Sequence, residues 1–313
     1  MPRKIIIDTD PGIDDAVALL LALAAPEELA VLGIVAAAGN LPLVQTERNA
    51  RMICELAGRT DLPVYGGCAR PLVRPLATAA HIHRDALRDR LNLPEPAMPL
   101  AAQHGVDFLV DTLRAAEPGK VTLCALGPLT DIAVALVKAP DIADRLAEVV
   151  LMGGAGFEIG NITPAAEFNI HADPHAAEIV LASGVPITMI PLDVTHQVLS
   201  TPPRIAALKA VGNCCGPAVA DLLAAFEETR TAKFGARGMA LHDPCVVAYL
   251  IRPALFSGRE VNVAVETASP LTLGMTVVDW WGVTGRPVNA LFMNTVDAEA
   301  LYGVLTEKLS RLP

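Results

Sequence analysis

The sequence predicts an α/β protein: a single open, mainly parallel, Rossmann-like sheet with helices on both faces and a late β-hairpin. Apolar runs of strand length recur along the 313 residues, each stopping at a glycine or a polar turn. Helical patterns lie between those runs, which is the alternation that builds a parallel sheet covered on both sides. No linker separates two independent sets of motifs, so residues 1–313 are expected to form one domain.

The first strand is expected at Ile5-Ile6-Ile7, a continuous β-branched run of the kind found in strands buried on both faces. It stops at Asp8, Asp10, Asp14 and Asp15, with Pro11-Gly12 breaking the chain between the two pairs, and the Ala/Leu-rich stretch after Asp15 predicts a helix. Further strands are expected from Leu29 to Ala38, ending at Gly39-Asn40, and from Val121 to Leu126, ending at Gly127-Pro128. Two more are expected from Val149 to Met152, before Gly153-Gly154, and from Pro186 to Pro191, before Leu192-Asp193. Helices are expected over about 44–57, 130–138, 174–183 and 217–231. Leu72 to Pro99 is rich in proline and charge and reads as a long surface excursion that could serve as a lid. Val261 to Val278 reads as the late hairpin with Pro270 near its turn, and Asp297 to Leu312 as a closing helix.

Composition narrows the function. The chain is 52% hydrophobic, enough for a large core, yet the apolar run Ala16 to Ala25 is too short to span a bilayer. Arg3-Lys4 is followed by only three isoleucines, so no signal peptide is read and a cytoplasmic protein is expected. A net charge of −10 with no dense Lys/Arg stripe argues against nucleic acid as a partner and for a small or neutral ligand. The six cysteines show no CxxC spacing, which argues against zinc or redox motifs, and Cys214-Cys215 is expected to have no chemical role.

The acids after the first strand carry the chemistry. They sit where open α/β sheets place their ligands, at the carboxyl end of a strand. Like charges this crowded repel unless something positive or strongly hydrogen-bonding lies among them, and a divalent cation is the simplest candidate. Two further blocks stand out. Met152 to Pro174 combines strand-end glycines with Asn161, Glu167, Asn169 and Asp173, and Leu241-His242-Asp243-Pro244 sets an imidazole beside a carboxylate.

DTDPGIDD, GPLTDIA, MGGA…GN…AEFN…ADP and LHDP, in this order and spacing, resemble the inosine–uridine preferring nucleoside hydrolase family over nearly the whole chain. The resemblance implies Ca²⁺-dependent hydrolysis of a ribonucleoside to free base and ribose, with inversion by direct attack of water, in a homo-oligomer (dimer or tetramer). It implies that Asp10, Asp15, Asp243 and the backbone carbonyl of Leu126 bind Ca²⁺, and that Asp10 is the base for the attacking water with Asn40 close to it. It further implies that Asp14, Asn161, Glu167 and Asn169 grip the ribose hydroxyls and that His242 faces the nucleobase. The residue types suit that chemistry. Cleaving an N-glycosidic bond passes through an oxocarbenium-like sugar, which carboxylates and amide oxygens favour. The water needs a lowered pKa, which a divalent ion supplies, and the leaving base needs a proton, which a histidine supplies. An all-oxygen set with a backbone carbonyl suits calcium better than magnesium. Asp8 is expected to be a structural carboxylate tied to backbone donors.

Two stretches depart from the family pattern. Around His81 to Asp89 the usual loop glycines are missing; His83 matches the loop histidine as a substrate contact, while loss of glycine favours helix. Ahead of LHDP, Phe226, Arg230 and Phe234 fall at i, i+4 and i+8 on one helix face, where related enzymes tend to place tyrosine or glutamine. Phe226 and Arg230 are therefore candidate base contacts, Arg230 through its donors or else turned outward to Glu227, and the nucleobase preference stays open. Two other functions compete: a haloacid-dehalogenase-like phosphohydrolase using Asp8 and Asp10, which leaves the AEFN and LHDP blocks without a role, and a non-catalytic nucleoside-binding protein.

Overall fold

Ile5 and Ile7 pack in one apolar core and Ile6 in another, as alternation along a doubly buried strand requires. That strand, β1 (Arg3–Thr9), lies inside a nine-stranded sheet in the computed structural model, which describes residues 1–83, 86–234 and 238–313, the side chains of 86 and 226–234 excepted. The chain then lays down β2 (Leu29–Ala36) and β3 (Val64–Gly66) on one side of β1, and β4 (Val121–Ala125), β5 (Leu146–Met152) and β6 (Ile187–Ile190) on the other. All these neighbours pair in parallel. A separate antiparallel pair, β7 (Leu199–Ser200) and β8 (Met239–Ala240), follows outside the sheet. The late hairpin is β9 (Phe256–Val265) with β10 (Thr276–Asp279), antiparallel and longer at its start than the sequence suggested.

Two sheet strands were not foreseen, the three-residue β3 and β11 (Ala290–Val296). β11 inserts between β6, to which it is parallel, and β9, to which it is antiparallel. Its Asn294 and Thr295 interrupt the apolar run, so the segment reads weakly until its neighbours are known.

Helices cover both faces. On one side lie α1 (Ile13–Leu23) and α2 (Leu43–Leu56), then the short α3 (Ala80–His83) and α4 (Ala86–Leu91). The other face is covered by α5 (Gly105–Ala115) and α6 (Thr130–Lys138), followed by α7 (Phe168–Ala172) and α8 (Pro174–Leu181). After β6 come α9 (Leu192–Thr195), α10 (Pro202–Lys209), α11 (Cys215–Phe234), α12 (Pro244–Ile251) and the closing α13 (Ala298–Leu309). The excursion from Leu72 to Pro99 thus carries two short helices, in line with its missing glycines. His104 caps α5, its Nδ1 accepting from the Val106 N–H at 3.2 Å. Among the described residues no helix is long and apolar enough to cross a membrane.

All eleven residues of α1 are buried, between the sheet and helices α2, α11, α12 and α13. A helix apolar all round belongs in an interior, and its first turn fixes where Asp14 and Asp15 point. Truncating Leu20, which is fully buried, should lower unfolding free energy by about 2–5 kcal/mol. Chemical denaturation of Leu20→Ala measures it; a shift under about 1 kcal/mol would place α1 outside the cooperative core.

Candidate active site

Strand order reverses at β1: the chain leaves toward β2 and β3, then returns to build β4 on the opposite side. Loops at the carboxyl ends of β1 and β4 diverge at such a point and leave a crevice. Here the crevice is lined by Asp14, Asn40, His83, Leu126, Asn161 and Glu167, together with Asn169, His242 and Asp243. Each comes from a loop or a helix end at the same sheet edge, or from the return of the chain through β7 and β8.

The floor is acidic and ordered by its own hydrogen bonds. Asp15 Oδ1 accepts from the Thr9 hydroxyl at 2.6 Å and the Asp10 N–H at 3.2 Å. Its Oδ2 accepts from the Gly12 N–H at 3.1 Å and from Asn40 Nδ2 at 3.0 Å. The Asn40 N–H donates to Asp10 Oδ2 at 2.5 Å, so one asparagine ties both carboxylates together. Gly39 and Gly127 press on Asp10: a Cβ would stand 2.1 Å from Oδ2 at the first and 2.5 Å from Oδ1 at the second. Glycine is required at both positions by close approach to this carboxylate.

Burial pushes the Asp10 carboxyl well above the usual carboxylate range, and the Asp15 and Asp14 charges push it further, while the Asn40 N–H opposes them. Asp243 is raised for the same reasons, burial first and then Asp14, Asp15 and Asp10. Carboxyl oxygens of Asp14, Asp15 and Asp243 lie within 4.8 Å of one another, all in buried residues. Among the described residues lining the crevice, none is Lys or Arg. Such a donor set fits a hard divalent cation, which would offset the repulsion among these carboxylates. Asp10 stands beside this trio, close enough to shift Asp243.

Above the floor, the Asn169 side chain donates through Nδ2 to the carbonyls of Leu126 (2.7 Å) and Met152 (3.1 Å). That orientation leaves its Oδ1 as an acceptor, and leaves the Leu126 carbonyl a second lone pair. Glu167 caps α7, accepting from the N–H groups of Asn169 (2.9 Å), Gly154 (3.1 Å) and Ile170 (3.2 Å). Burial still pushes its carboxyl up to about 7, those N–H donors opposing the shift. Asn161 accepts from the Phe168 N–H at 2.9 Å, which turns its loop toward the crevice. His83 Nδ1 accepts from the Ile13 N–H at 3.1 Å, with the ring packed on Gly12, so α3 is pinned to the start of α1. His242 is buried and its Nδ1 lies 2.8 Å from the Thr195 hydroxyl.

The described residues expected at the site therefore converge, and one expectation is corrected. Asp8 is not tied to backbone donors: both its oxygens are buried and find no hydrogen-bond partner among the described residues. Alternation along β1 turns Asp8 with Ile6 toward α6, where burial and the Asp131 charge raise its pKa well above normal. It thus faces Asp131 on the side of the sheet covered by α6, which argues against Asp8 as the nucleophile of a phosphohydrolase. The side chains of Phe226 and Arg230 lie outside the described residues. Thr9 and Thr195 were missed by the sequence reading, although both lie at or just past the carboxyl end of a strand, a signal that strand-end placement could have used. Trp280 packs against the core near Phe157 and Trp281 is exposed.

Glu167 binds its extra proton only in the folded chain, between its ordinary value of 4.5 and about 7. Its contribution to stability is therefore complete below 4.5 and lost as pH rises through about 7, with Asp10 and Asp243 acting in the same direction. Protein stripped of divalent ions should melt several degrees lower at about pH 8 than at about pH 5, and Glu167→Gln should flatten part of that slope. Melting temperatures that climb with pH in the stripped protein would contradict these shifts.

Comparison with known proteins agrees with this geometry. Residues 5–303 match the model of the inosine-uridine preferring nucleoside hydrolase family. An uncharacterized protein of Schizosaccharomyces pombe is 52% identical over 310 residues, covering 99% of this chain and 100% of that protein. The pyrimidine-specific ribonucleoside hydrolase RihA of Shewanella sp. strain ANA-3 is 44% identical, over 99% of this chain and 97% of its own. Among solved structures, the purine-preferring ribonucleoside hydrolase from Gardnerella vaginalis superposes with a TM-score of 0.91 at 31% identity, over 98% of both chains. Match length, identity and coverage together place the chain: it belongs to the inosine-uridine preferring nucleoside hydrolase family.

Proposed function

We propose that the chain, acting as a single domain, hydrolyses the N-glycosidic bond of ribonucleosides to free base and ribose with the help of Ca²⁺. The observation that supports this best is the convergence of buried carboxylates on the crevice floor with Asn161, Glu167 and Asn169 on its wall and His242 at its rim. Asp10, Asp15, Asp243 and the Leu126 carbonyl are the proposed ligands, with Asp14 in the same cluster of oxygens. Bound there, the ion would lower the pKa of an attacking water and neutralise the crowded acids.

The protein groups then divide the work. Asp10 accepts the proton of the attacking water; its Oδ2 is held by Asn40, and its Oδ1 has no hydrogen-bond partner among the described residues. Asp14, Glu167 and the amide oxygens of Asn161 and Asn169 accept from ribose hydroxyls and favour the positive charge that builds on the sugar. His242 presents a ring N–H to the departing base and eases the negative charge that builds there, and His83 contacts the base from α3. Phe226 and Arg230 are proposed as further base contacts from α11. The 44% identity to pyrimidine-specific relatives supports uridine and cytidine as preferred substrates over purine ribonucleosides. A homo-oligomer is the proposed assembly.

Ribose release from uridine, cytidine, inosine, adenosine and guanosine, assayed before and after chelation, tests the reading. Chelation should abolish release and added Ca²⁺ should restore it, with the highest kcat/KM on a pyrimidine. Asp10→Asn should lower kcat by about 10²–10⁴-fold while nucleoside binding persists. No release from any nucleoside in the presence of Ca²⁺ would leave a binding protein instead, and full activity after complete removal of metal would end the calcium mechanism.

A further inference from the structure

His242 is held from outside the crevice by a residue of a different element. α9 follows the end of β6, and its last side chain, Thr195, is completely buried. The hydroxyl oxygen lies 2.8 Å from His242 Nδ1 across 47 residues of sequence. β7 and β8 bring the two together, and the Leu241 N–H donates to the Val198 carbonyl at 2.8 Å beside them.

A hydroxyl and a neutral imidazole nitrogen pair in two ways. Either the hydroxyl donates to a bare Nδ1 and the ring carries its proton on Nε2, or Nδ1–H donates and the hydroxyl proton must find another acceptor. Among the described residues, His242 Nδ1 is the single hydrogen-bond partner of Thr195 Oγ1, and the threonine is sealed from solvent at 0% exposure. The second pairing would leave a buried donor unmet, so the first is favoured. The geometry has a second effect, because a short bond to a buried, β-branched side chain fixes the plane of the ring as well as its tautomer. The same helix holds the loop that carries Asn161: Asp193 accepts from the N–H groups of Gly156 (2.8 Å), Phe157 (2.6 Å) and Glu158 (3.2 Å).

We propose that Thr195 is a positioning residue for the reaction, donating to Nδ1 so that His242 offers Nε2–H to the leaving base. The proposal rests on the reading of His242 given above. Thr195 touches neither ribose nor base; it decides which ring nitrogen has a hydrogen to donate.

The test uses Ca²⁺-loaded protein and two leaving groups. Uracil leaves from uridine with difficulty and needs a donor, whereas nitrophenolate leaves from p-nitrophenyl β-D-ribofuranoside unaided. Thr195→Val keeps the shape and removes the donor; it should lower kcat on uridine by about tenfold or more with KM little changed, and should leave kcat on the nitrophenyl riboside within about twofold. Thr195→Ser should restore uridine turnover. Equal losses on both substrates, or no loss on either, would reduce Thr195 to packing and overturn the assignment. Nitrogen NMR of the His242 ring, assigned by its disappearance in His242→Asn, reads the tautomer without turnover: Nε2–H in the wild type supports the proposal and Nδ1–H overturns it. Wild-type protein that releases no ribose from any nucleoside would instead overturn the hydrolase reading on which the proposal stands.

Discussion

Crowding of like charge among buried carboxylates is the constraint that the rest of this protein answers. Asp10, Asp14, Asp15 and Asp243 are all buried, and burial followed by the charge of neighbouring carboxylates raises the pKa of both Asp10 and Asp243. Every nearby feature either lowers that repulsion or leaves room for something that does. Asp14 and Asp15 lie in the first turn of α1, where the positive end of the helix dipole favours negative charge. Thr9, Asn40 and the N–H groups of Asp10 and Gly12 saturate Asp15. Gly39 and Gly127 let the backbone close on Asp10 from both sides. These partners supply partial charge only, and the described residues lining the crevice include no Lys or Arg, so a divalent cation is the fitting counter-charge.

The sheet makes this concentration of groups possible. Parallel strands deliver all their carboxyl ends to one edge, and reversal of order at β1 opens a crevice there. Loops that are far apart in sequence therefore meet: Asn40 after β2, Leu126 after β4, Glu167 and Asn169 beyond β5. Residues of LHDP arrive by a different route. They follow a two-residue strand, β8, whose pairing with β7 returns the chain to the end of β6. On the proposed function the roles would separate along these routes, with the water and ion served by the β1 end, the sugar by the β5 loop, and the base by the late return through β8.

Much of this was legible before any coordinates. Ile5-Ile6-Ile7 followed by four acids announces a buried strand feeding a helix, because continuous apolar β-branched residues suit burial on both faces and the acids cannot continue it. The loss of glycines near His83 correctly signalled helix, since α3 and α4 now stand there. Short or mixed segments were not legible. β3 has three residues, and β11 carries Asn294 and Thr295, so neither shows a periodicity until its partners define it. Asp8 was misread as bonded to backbone donors because a sequence shows that an acid is present, not which face of its strand meets donors.

By itself, the sequence determined the fold class, the acid-rich strand end and the set of residue types suited to splitting an N-glycosidic bond. Those depend on local pattern: period, glycine and proline punctuation, and the spacing of acids within a few residues. Only the tertiary structure decided which oxygens meet. It grouped Asp243 with Asp14 and Asp15, sent Asp8 to the opposite face beside Asp131, and set Thr195 against His242. Hydrogen bonds and ion sites act over a few ångströms, and contacts across 47 or more residues of chain are fixed by sheet order and packing rather than by neighbours in sequence.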